Sequence, residues 1–264
     1  MGKVICIANQ KGGVGKTTTA VNLSASLALN QRKTLLIDTD PQGNASSGVG
    51  VEKEGVTQSI YHVLIEDREL TEIIRETPFA NLFIAPSSID LIGAEIELVS
   101  VNGREKRLKE RLTKVVDDYH FIIIDCPPSL GLLTVNSLNA ADSVIIPIQC
   151  EYYALEGLSQ LLNVVKRIKK AFNPHLKIEG FLITMFDTRN NLSHQVASEI
   201  KNYFPDKVFH TIIPRNVRLG ECPSYGKPVF YYDKFSAGAK SYLELAQIIT
   251  NGEKNDHGRE KSAG

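Results

Sequence analysis

A glycine- and lysine-rich segment near the start of the sequence has the residue types that a phosphate site needs. The segment is KGGVGKTT, in which the glycines are Gly12, Gly13 and Gly15. Glycine permits the backbone angles and the close approach that let successive N–H groups point at phosphate oxygens. Lys16 could then reach the β- and γ-phosphates of a nucleotide, and the Thr17 hydroxyl could join the shell of a Mg²⁺ ion. The segment therefore predicts a cradle for nucleotide phosphates.

Two residues distinguish this segment from the usual phosphate loop. Gln10 stands where the pattern G-x-x-x-x-G-K-[ST] has its first glycine, and Lys11 follows it. A glycine-rich turn with chance lysines is the alternative interpretation. The apolar run before the segment and the helix formers after it favour the phosphate loop, because such a loop joins a strand to a helix. Lys11 is then an additional cation that the loop itself does not require.

Acidic residues follow two other apolar runs. LLIDTDPQGN ends a predicted strand with Asp38 and Asp40, and FIIIDCPPS ends another with Asp125. Each could simply cap a helix or form a turn. In an open parallel sheet, however, residues beyond the carboxyl ends of the strands collect at one crevice. Carboxylates there can hold Mg²⁺ or position an attacking water.

The elements that must position these residues alternate along the chain. Predicted strands are 4–8, 34–38, 82–85, 121–125, 143–148, 178–184 and 208–213. Predicted helices are 17–29, 60–65, 70–76, 91–99, 105–117, 155–172, 192–204 and 237–250. Several strands are almost continuously apolar, as expected for strands buried on both faces. The pattern predicts an α/β fold with a doubly wound, mostly parallel twisted sheet and helices on both faces.

Composition and charge restrict the partners, the location and the domain organisation that this chain can have. The chain has 264 residues, with 30 Lys plus Arg and 30 Asp plus Glu, so any binding to nucleic acid has to use a local patch. No apolar run approaches the length of a membrane span, and the start lacks the zones of a secretory signal, which predicts a cytoplasmic protein without a membrane partner. We expect one domain over residues 1–250 and a disordered polar tail over 251–264. The scattered cysteines, Cys6, Cys126, Cys150 and Cys222, are expected to be reduced.

Five motifs in order resemble the ParA/Soj family of chromosome and plasmid partition ATPases, over about residues 1–250. They are KGGVGKTT, IDTDPQGN, IIIDCPPS, PIQCEYYALEGL and IPRNVRLGE. This family lies within the deviant Walker A group of P-loop NTPases, which includes MinD and the nitrogenase iron protein. The resemblance implies a slow, partner-stimulated ATP hydrolase that uses ATP and Mg²⁺ and forms a sandwich homodimer with ATP.

The resemblance also assigns roles to residues. It implies that Lys11 crosses the dimer interface to the phosphates bound by the other subunit and that Gly12 lies against that subunit. Catalytic roles fall to Lys11, Lys16 and Asp40, the last orienting or activating the attacking water. Magnesium would be supported by Thr17, Asp38 and Asp125. Nucleotide contacts would come from Lys11, Gly12, Gly13, Val14, Gly15, Lys16, Thr17, Thr18, Met185, Pro214, Arg215 and Asn216.

For DNA, the resemblance implies non-specific contacts from Arg189 and Arg218 in the ATP-bound dimer. The alternative is that both are ordinary surface arginines paired with nearby acids such as Asp187 or Glu221. The expected function is chromosome or plasmid segregation on the nucleoid, together with a ParB-like DNA-binding protein that stimulates hydrolysis.

Three alternative functions share this kind of phosphate loop. A MinD-like membrane ATPase would need a basic, apolar C-terminal helix, but residues 252–264 contain no Leu, Ile, Val or aromatic residue. An iron–sulfur reductase would need paired cysteine ligands, and only Cys126 stands near the predicted site. A nucleotide-dependent regulator of a protein partner, for example in replication initiation, stays open because the same switch could serve it.

Overall fold

The computed structural model describes residues 2–151 and 154–261. The strands in chain order are β1 (Lys3–Ile7), β2 (Thr34–Asp38), β3 (Arg75–Glu76), β4 (Leu82–Ala85), β5 (Phe121–Asp125), β6 (Ser143–Gln149) and β7 (Lys177–Thr184). The α-helices are α1 (Lys16–Leu29), α2 (Asn44–Gly48), α3 (Ile60–Ile65), α4 (Leu70–Ile73), α5 (Leu91–Glu97), α6 (Arg107–Leu112), α7 (Leu132–Ala140), α8 (Ala154–Ala171), α9 (Asn191–Tyr203), α10 (Val217–Glu221), α11 (Val229–Tyr232) and α12 (Ala237–Lys261).

These strands form one sheet in the order β3-β4-β2-β5-β1-β6-β7. All neighbouring pairs are parallel except β3 with β4, which is antiparallel at the edge. The register pairs Asp125 with Ile7 on one side and with Asp38 on the other. The residues that follow β1, β2 and β5 therefore meet at one edge of the sheet, as the sequence predicted.

The sheet is covered on both faces, which confirms the predicted fold class. Alternating side chains of β1 separate into two cores: Val4 and Cys6 pack with α3 to α8, whereas Ile5 and Ile7 pack with α1, α2 and α12. A strand buried on both faces cannot alternate apolar with polar residues, so its sequence is continuously apolar. The four cysteines are buried free thiols, and Cys6 and Cys126 lie with their sulfurs 3.2 Å apart.

Three predicted elements differ from the structure. The segment 208–213 makes one isolated bridge, between Val208 and Phe181, because its backbone hydrogen bonds reach β7 only near Phe181 and Ile183. Helix α4 ends at Ile73, and the next residues turn into β3 instead of continuing the helix to 76. The predicted helix 105–117 is divided into α6 and a 3₁₀ turn at Val116–Asp118.

The last helix also runs further than expected. Helix α12 continues to Lys261, so residues 251–261 are helical where a disordered tail was predicted; 262–264 lie outside the described residues. A helix already nucleated by packing adds further residues at little cost, even when they are polar. No described helix combines the length and apolar character needed to cross a membrane.

Candidate nucleotide site

The loop between β1 and α1 adopts the backbone that its glycines permit. Gly13 and Gly15 have φ of 72° and 84°, in the left-handed region that disfavours other residues. Gly15 directly precedes α1, whose first residue is Lys16. The free N–H groups of this first turn point out of the helix end, where the helix dipole also favours an anion.

Lys16 lies inside the site rather than on the surface. The residue is 6% exposed, and its Nζ donates a hydrogen bond to the Lys11 carbonyl oxygen at 3.1 Å. Burial lowers the pKa of Lys16, and the nearby carboxylate of Asp125 opposes that shift. A buried ammonium held by one carbonyl has donors left for a ligand, and phosphate oxygens would satisfy them.

Asp125 is the least satisfied group of the site. It is fully buried, and neither of its carboxylate oxygens accepts a hydrogen bond of ordinary geometry from the described residues. Burial raises the pKa of Asp125 well above its usual range, Asp38 adds to the rise, and the neighbouring Thr17 hydroxyl lowers it in part. An orphaned buried carboxylate is costly unless a cation or donor completes it.

The carboxylate of Asp38, in contrast, accepts hydrogen bonds from its own chain. Its Oδ2 accepts hydrogen bonds from the Ser46 backbone N–H at 2.8 Å and hydroxyl at 2.7 Å, and its Oδ1 accepts one from the Asp40 N–H at 3.2 Å. Burial raises the pKa of Asp38 to about 6. These bonds fix the loop that carries Asp40, so the observed geometry gives Asp38 a positioning role; its predicted support of Mg²⁺ stays a prediction.

The predicted nucleotide contacts surround one cavity of about 530 Å³. Of the predicted residues, its walls include Gly12, Gly13, Gly15, Lys16, Thr17, Thr18, Asp40, Met185, Pro214, Arg215 and Asn216. Lys11, Val14, Asp38 and Asp125 are not among the lining residues. The size is within the range of small-ligand pockets.

Two features of the cavity wall point to a ligand. Met185 has a φ of 49°, a left-handed backbone that is unusual for a side chain of this size and that clusters at functional sites. Asn216 has a buried Oδ1 without a hydrogen-bond partner among the described residues. A ligand N–H, such as the amino group of a base, would satisfy that oxygen.

The donor set fits a magnesium ion bound together with phosphates. Among the described residues, no three His, Cys, Asp or Glu side chains cluster as a self-contained metal site. Mg²⁺ is usually bound by one or two carboxylates plus substrate phosphates and water, rather than by a full protein cage. Thr17 and the unsatisfied Asp125 are the residues that match this requirement.

Lys11 lies apart from the cavity. Its ammonium forms an ion pair with Glu151, in the loop between β6 and α8. Its backbone N–H donates to Asn9 Oδ1 at 3.0 Å, and Asn9 in turn donates to the Pro147 carbonyl at 2.7 Å. The Lys11 side chain is 37% exposed and pairs with a residue of its own chain.

Both arginines predicted to contact DNA are paired with acids. Arg189 donates to the two carboxylate oxygens of Asp187 at 3.0 and 2.8 Å, and it lowers the pKa of Asp187 to about 2. Arg218 is paired with Glu221 at 2.8 Å and with Asp233 at 3.2 Å. These are the pairs that the surface-arginine alternative expected. Exposed ion pairs are weak, however, so they leave both guanidinium groups able to meet a phosphate.

Comparison with known proteins identifies the family. A family model described as an AAA domain matches residues 2–178. The chain is 56% identical over 249 residues to the chromosome partitioning protein ParA of Myxococcus xanthus, covering 94% of this chain and 88% of the relative. It is 58% identical over 253 residues to the sporulation initiation inhibitor protein Soj of Bacillus subtilis, covering 96% and 100%. The chain belongs to the ParA/Soj family of chromosome-partitioning ATPases.

A solved structure supports the fold assignment. Cobyrinic acid a,c-diamide synthase from Mycobacterium smegmatis, determined with bound ADP and magnesium, superposes with a TM-score of 0.84 at 36% identity and covers 96% of each chain. The ParA/Soj chain therefore has the P-loop architecture that its sequence motifs predicted.

Several contributors to the site were missed from the sequence. Glu151 pairs with Lys11, Ser46 holds Asp38, and Thr184 donates to the Val14 carbonyl at 2.8 Å. Tyr242 of α12 lines the cavity, although it comes from the far end of the chain. Glu151 stood in a motif that carried the resemblance, whose Tyr152 and Tyr153 lie outside the described residues. The other three had no local signal, because only the fold brings them to the loop.

Proposed function

We propose that this ParA/Soj chain is an ATP-driven switch: ATP closes a homodimer, the dimer binds double-stranded DNA without sequence preference, and hydrolysis releases it. A ParB-like DNA-binding protein would stimulate hydrolysis and so direct segregation of a chromosome or plasmid. The enzymatic reaction is ATP hydrolysis with Mg²⁺, in which water adds to the γ-phosphorus and the bond to the β–γ bridging oxygen breaks.

The observation that supports this proposal is the different placement of two lysines of the phosphate loop. Lys16 is buried at the phosphate loop, whereas the Lys11 ammonium of the same loop pairs with Glu151 and is partly exposed. A cation supplied from a second subunit to a γ-phosphate would stabilise charge in the transition state, as arginine fingers do by about 10³–10⁵ in rate. Dimerisation and hydrolysis are then coupled through one residue.

Other residues of the chain have roles that follow from their places. Lys16 and the loop N–H groups bind the phosphates, and Asp40, in the cavity wall, orients or activates the attacking water. Asp125 and Thr17 would hold Mg²⁺, which when bound neutralises charge on the β- and γ-phosphates. Asn216 and Met185 lie where the base would bind.

Single substitutions separate these roles. Lys16→Ala should abolish ATP binding, and Asp40→Ala should retain binding but trap an ATP-bound dimer on DNA. Gly12→Val should block dimerisation specifically, because a Cβ at position 12 would meet no atom of its own subunit within 4 Å. A normal hydrolysis rate in Asp40→Ala would remove the catalytic assignment of that residue.

The decisive experiment measures binding of the purified protein to random-sequence duplex DNA with ATP, ADP or no nucleotide over a salt series. Asp40→Ala is included to prolong the ATP state. If a dimer places four arginines on phosphates, the log–log slope is about −3.6, so raising salt from ~50 to ~200 mM should weaken binding roughly a hundredfold. ATP-driven dimers that ignore DNA at low salt would instead favour a regulator of a protein partner.

A further inference from the structure

Four residues around the loop that carries Asp40 form a closed ring of hydrogen bonds. Ser87 donates its backbone N–H to Ser46 Oγ at 3.2 Å, and Ser46 donates its hydroxyl to Asp38 Oδ2 at 2.7 Å. Asp38 Oδ1 accepts the Asp40 backbone N–H at 3.2 Å, and the Asp40 carbonyl oxygen accepts the Ser87 hydroxyl. The ring therefore closes at Ser87, the residue from which it starts.

The ring lies inside the protein. Each of its four members is at most 7% exposed, so little water reaches them to replace a lost bond. Hydrogen bonds in a buried network polarise one another, and a buried group whose partner is removed carries the cost of its own desolvation. The closed ring therefore favours one arrangement of the loop over others.

Three elements that are separate in the sequence meet in this ring. Asp38 ends β2, Ser46 lies in α2, and Ser87 follows β4. Strands β2 and β4 are hydrogen-bonded parallel neighbours, so the sheet fixes the two ends of the ring relative to each other. The backbone of Asp40 is held between them, at its N–H by Asp38 and at its carbonyl by Ser87.

The same loop aims the Asp40 side chain. Its Oδ1 accepts the Gln42 backbone N–H at 2.9 Å, and the Gly43 N–H donates to the Asp40 carbonyl at 2.9 Å. Asp40 lies in the wall of the nucleotide cavity, whereas Ser46 and Ser87 are not among its lining residues. An effect of either serine on a nucleotide in that cavity therefore has to pass through another residue.

We propose that Ser46 is a positioning residue for ATP hydrolysis, whose hydroxyl holds the Asp40 carboxylate where it acts on the attacking water. A single oxygen atom of Ser46 supplies two links of the ring, one as donor and one as acceptor. Removing that atom opens the ring without removing any group that lines the cavity. The proposal rests on the role that the proposed function gives to Asp40.

Ser46→Ala should slow hydrolysis without weakening ATP binding. Asp38 Oδ2 keeps the Ser46 backbone N–H at 2.8 Å after this substitution, so the loop is loosened rather than released. Because small displacements of a reacting group are costly, we expect the hydrolysis rate at saturating ATP and Mg²⁺ to fall roughly tenfold. The dissociation constant of a slowly hydrolysed ATP analogue should stay within about twofold, since the lost interaction does not contribute to ground-state binding.

Three further variants separate the hydroxyl from the fold. Ser46→Thr keeps a hydroxyl and should restore the rate. Ser87→Ala opens the ring at one bond and should slow hydrolysis only about threefold, because the Asp40 carbonyl keeps the Gly43 N–H. Ser47→Ala is the matched control at the next position of α2. Its hydroxyl donates to the Gly43 carbonyl at 3.1 Å, which also accepts the Ser47 N–H, so the rate should not change.

Combination with Asp40→Ala distinguishes positioning from a merely structural role. If Ser46 acts through Asp40, Ser46→Ala should lower the residual rate of Asp40→Ala no further. An equal fractional drop in both backgrounds overturns the proposal, because Ser46 would then act on the site by another route. A loss of ATP affinity as large as the loss of rate also overturns it, as does failure of Ser46→Thr to recover activity.

The same measurements separate this proposal from the function on which it rests. Slow hydrolysis by Asp40→Ala together with normal hydrolysis by Ser46→Ala overturns the positioning role alone. Normal hydrolysis by Asp40→Ala contradicts the catalytic role of Asp40, and the positioning role of Ser46 is then overturned with it. Should Ser46→Ala not fold, Ser87→Ala takes its place in both backgrounds, and an unchanged rate in that variant overturns the proposal.

Discussion

Asp38 and Asp125 end adjacent strands in register and are both completely buried. Two carboxylates in such a place oppose each other's ionisation, and burial penalises both charges. Ser46 and the Asp40 backbone compensate Asp38, but Asp125 has no comparable partner among the described residues. The buried carboxylates therefore destabilise the nucleotide-free protein, and a bound cation would relieve that destabilisation.

Asp125→Asn should stabilise the nucleotide-free protein. The pKa of Asp38 is about 6 in the fold against an ordinary 3.8, and that of Asp125 is also raised, so the folded state binds more protons than the unfolded state between about pH 4 and 6. Stability is therefore lost as pH rises through that window. At pH 7.5 we expect Asp125→Asn to gain about 1–2 kcal/mol, or roughly 2–8 °C in Tm.

Thermal melts at pH 5 and pH 7.5 measure this effect. The gain should shrink at pH 5, because protons already neutralise the pair there. Saturating Mg²⁺ and ATP should raise the Tm of the unmodified protein and raise that of the variant much less. A variant that melts below the unmodified protein at pH 7.5 would show that Asp125 is stabilising without a ligand.

The Lys11–Glu151 pair supports a second prediction at this scale. Glu151→Gln removes the carboxylate that pairs with Lys11, so ATP-driven dimerisation should become faster. The increase should be a few-fold at most, because a partly exposed ion pair is weak. Stopped-flow light scattering after ATP addition measures the rate. Glu179→Gln is the matched control, because Glu179 pairs with Lys3 at 2.8 Å, far from the loop in sequence and outside the cavity lining. Equal rates in both variants would mean that Glu151 does not restrain Lys11.

At the scale of elements, the contact between β7 and the segment 208–213 depends on one glycine. A Cβ at Gly180 would lie 2.6 Å from the Phe209 ring and 3.0 Å from the Lys207 carbonyl oxygen, so neither neighbour has room for it. This crowding accompanies the isolated bridge that replaced the predicted strand. The segment leads directly to Pro214–Asn216, so its position also fixes one wall of the nucleotide cavity.

Gly180→Ala should therefore destabilise the protein by about 1–3 kcal/mol through overpacking. Gly157→Ala in α8 is the matched substitution, since nothing lies within 4 Å of its Cβ position, and it should stabilise by about 0.5–1 kcal/mol. Urea unfolding of the two variants gives both values. Equal and small effects would mean that the 208–213 segment relaxes to accept the methyl group.

At the scale of the whole molecule, the net charge of zero means that the proposed binding to DNA has to use a local surface. Arg189 and Arg218 are exposed but paired, while Arg215, between them in the chain, is exposed and forms no ion pair with the described residues. A phosphate has to compete with Asp187 for Arg189 and with Glu221 and Asp233 for Arg218. The acids therefore set the affinity of the surface together with the arginines.

Asp187→Asn should tighten DNA binding by the ATP-bound dimer several-fold at low salt, because Arg189 no longer has a competing carboxylate. Arg189→Ala and Arg218→Ala should weaken it and reduce the salt slope, with ATP-driven dimerisation intact. Binding of labelled duplex DNA and sedimentation of the same samples give both quantities. Loss of dimerisation in the arginine variants would assign them a structural role instead.

Much of the site could be predicted from the sequence, because its chemistry is local. The glycines, Lys16 and Thr17 are consecutive, so their types and order prescribe a phosphate loop wherever a strand precedes and a helix follows. Asp38 and Asp125 close apolar runs, and parallel strands bring such ends to one edge. The continuous apolar runs likewise predicted the doubly wound sheet, because a strand that is covered on both faces is apolar along its whole length.

Only the tertiary structure decided the contacts between residues that are not linked by a local sequence motif. The hydrogen bonds of Ser46 to Asp38, the pairing of Glu151 with Lys11 and the place of Tyr242 in the cavity join residues that no spacing rule connects. The same holds for 208–213, whose β-forming sequence makes only isolated contacts with β7, and for Ile92 and Ile96, which the fold leaves 57% and 76% exposed. A hydrophobic pattern predicts that a residue prefers burial, but the packing of distant elements decides which faces the fold covers.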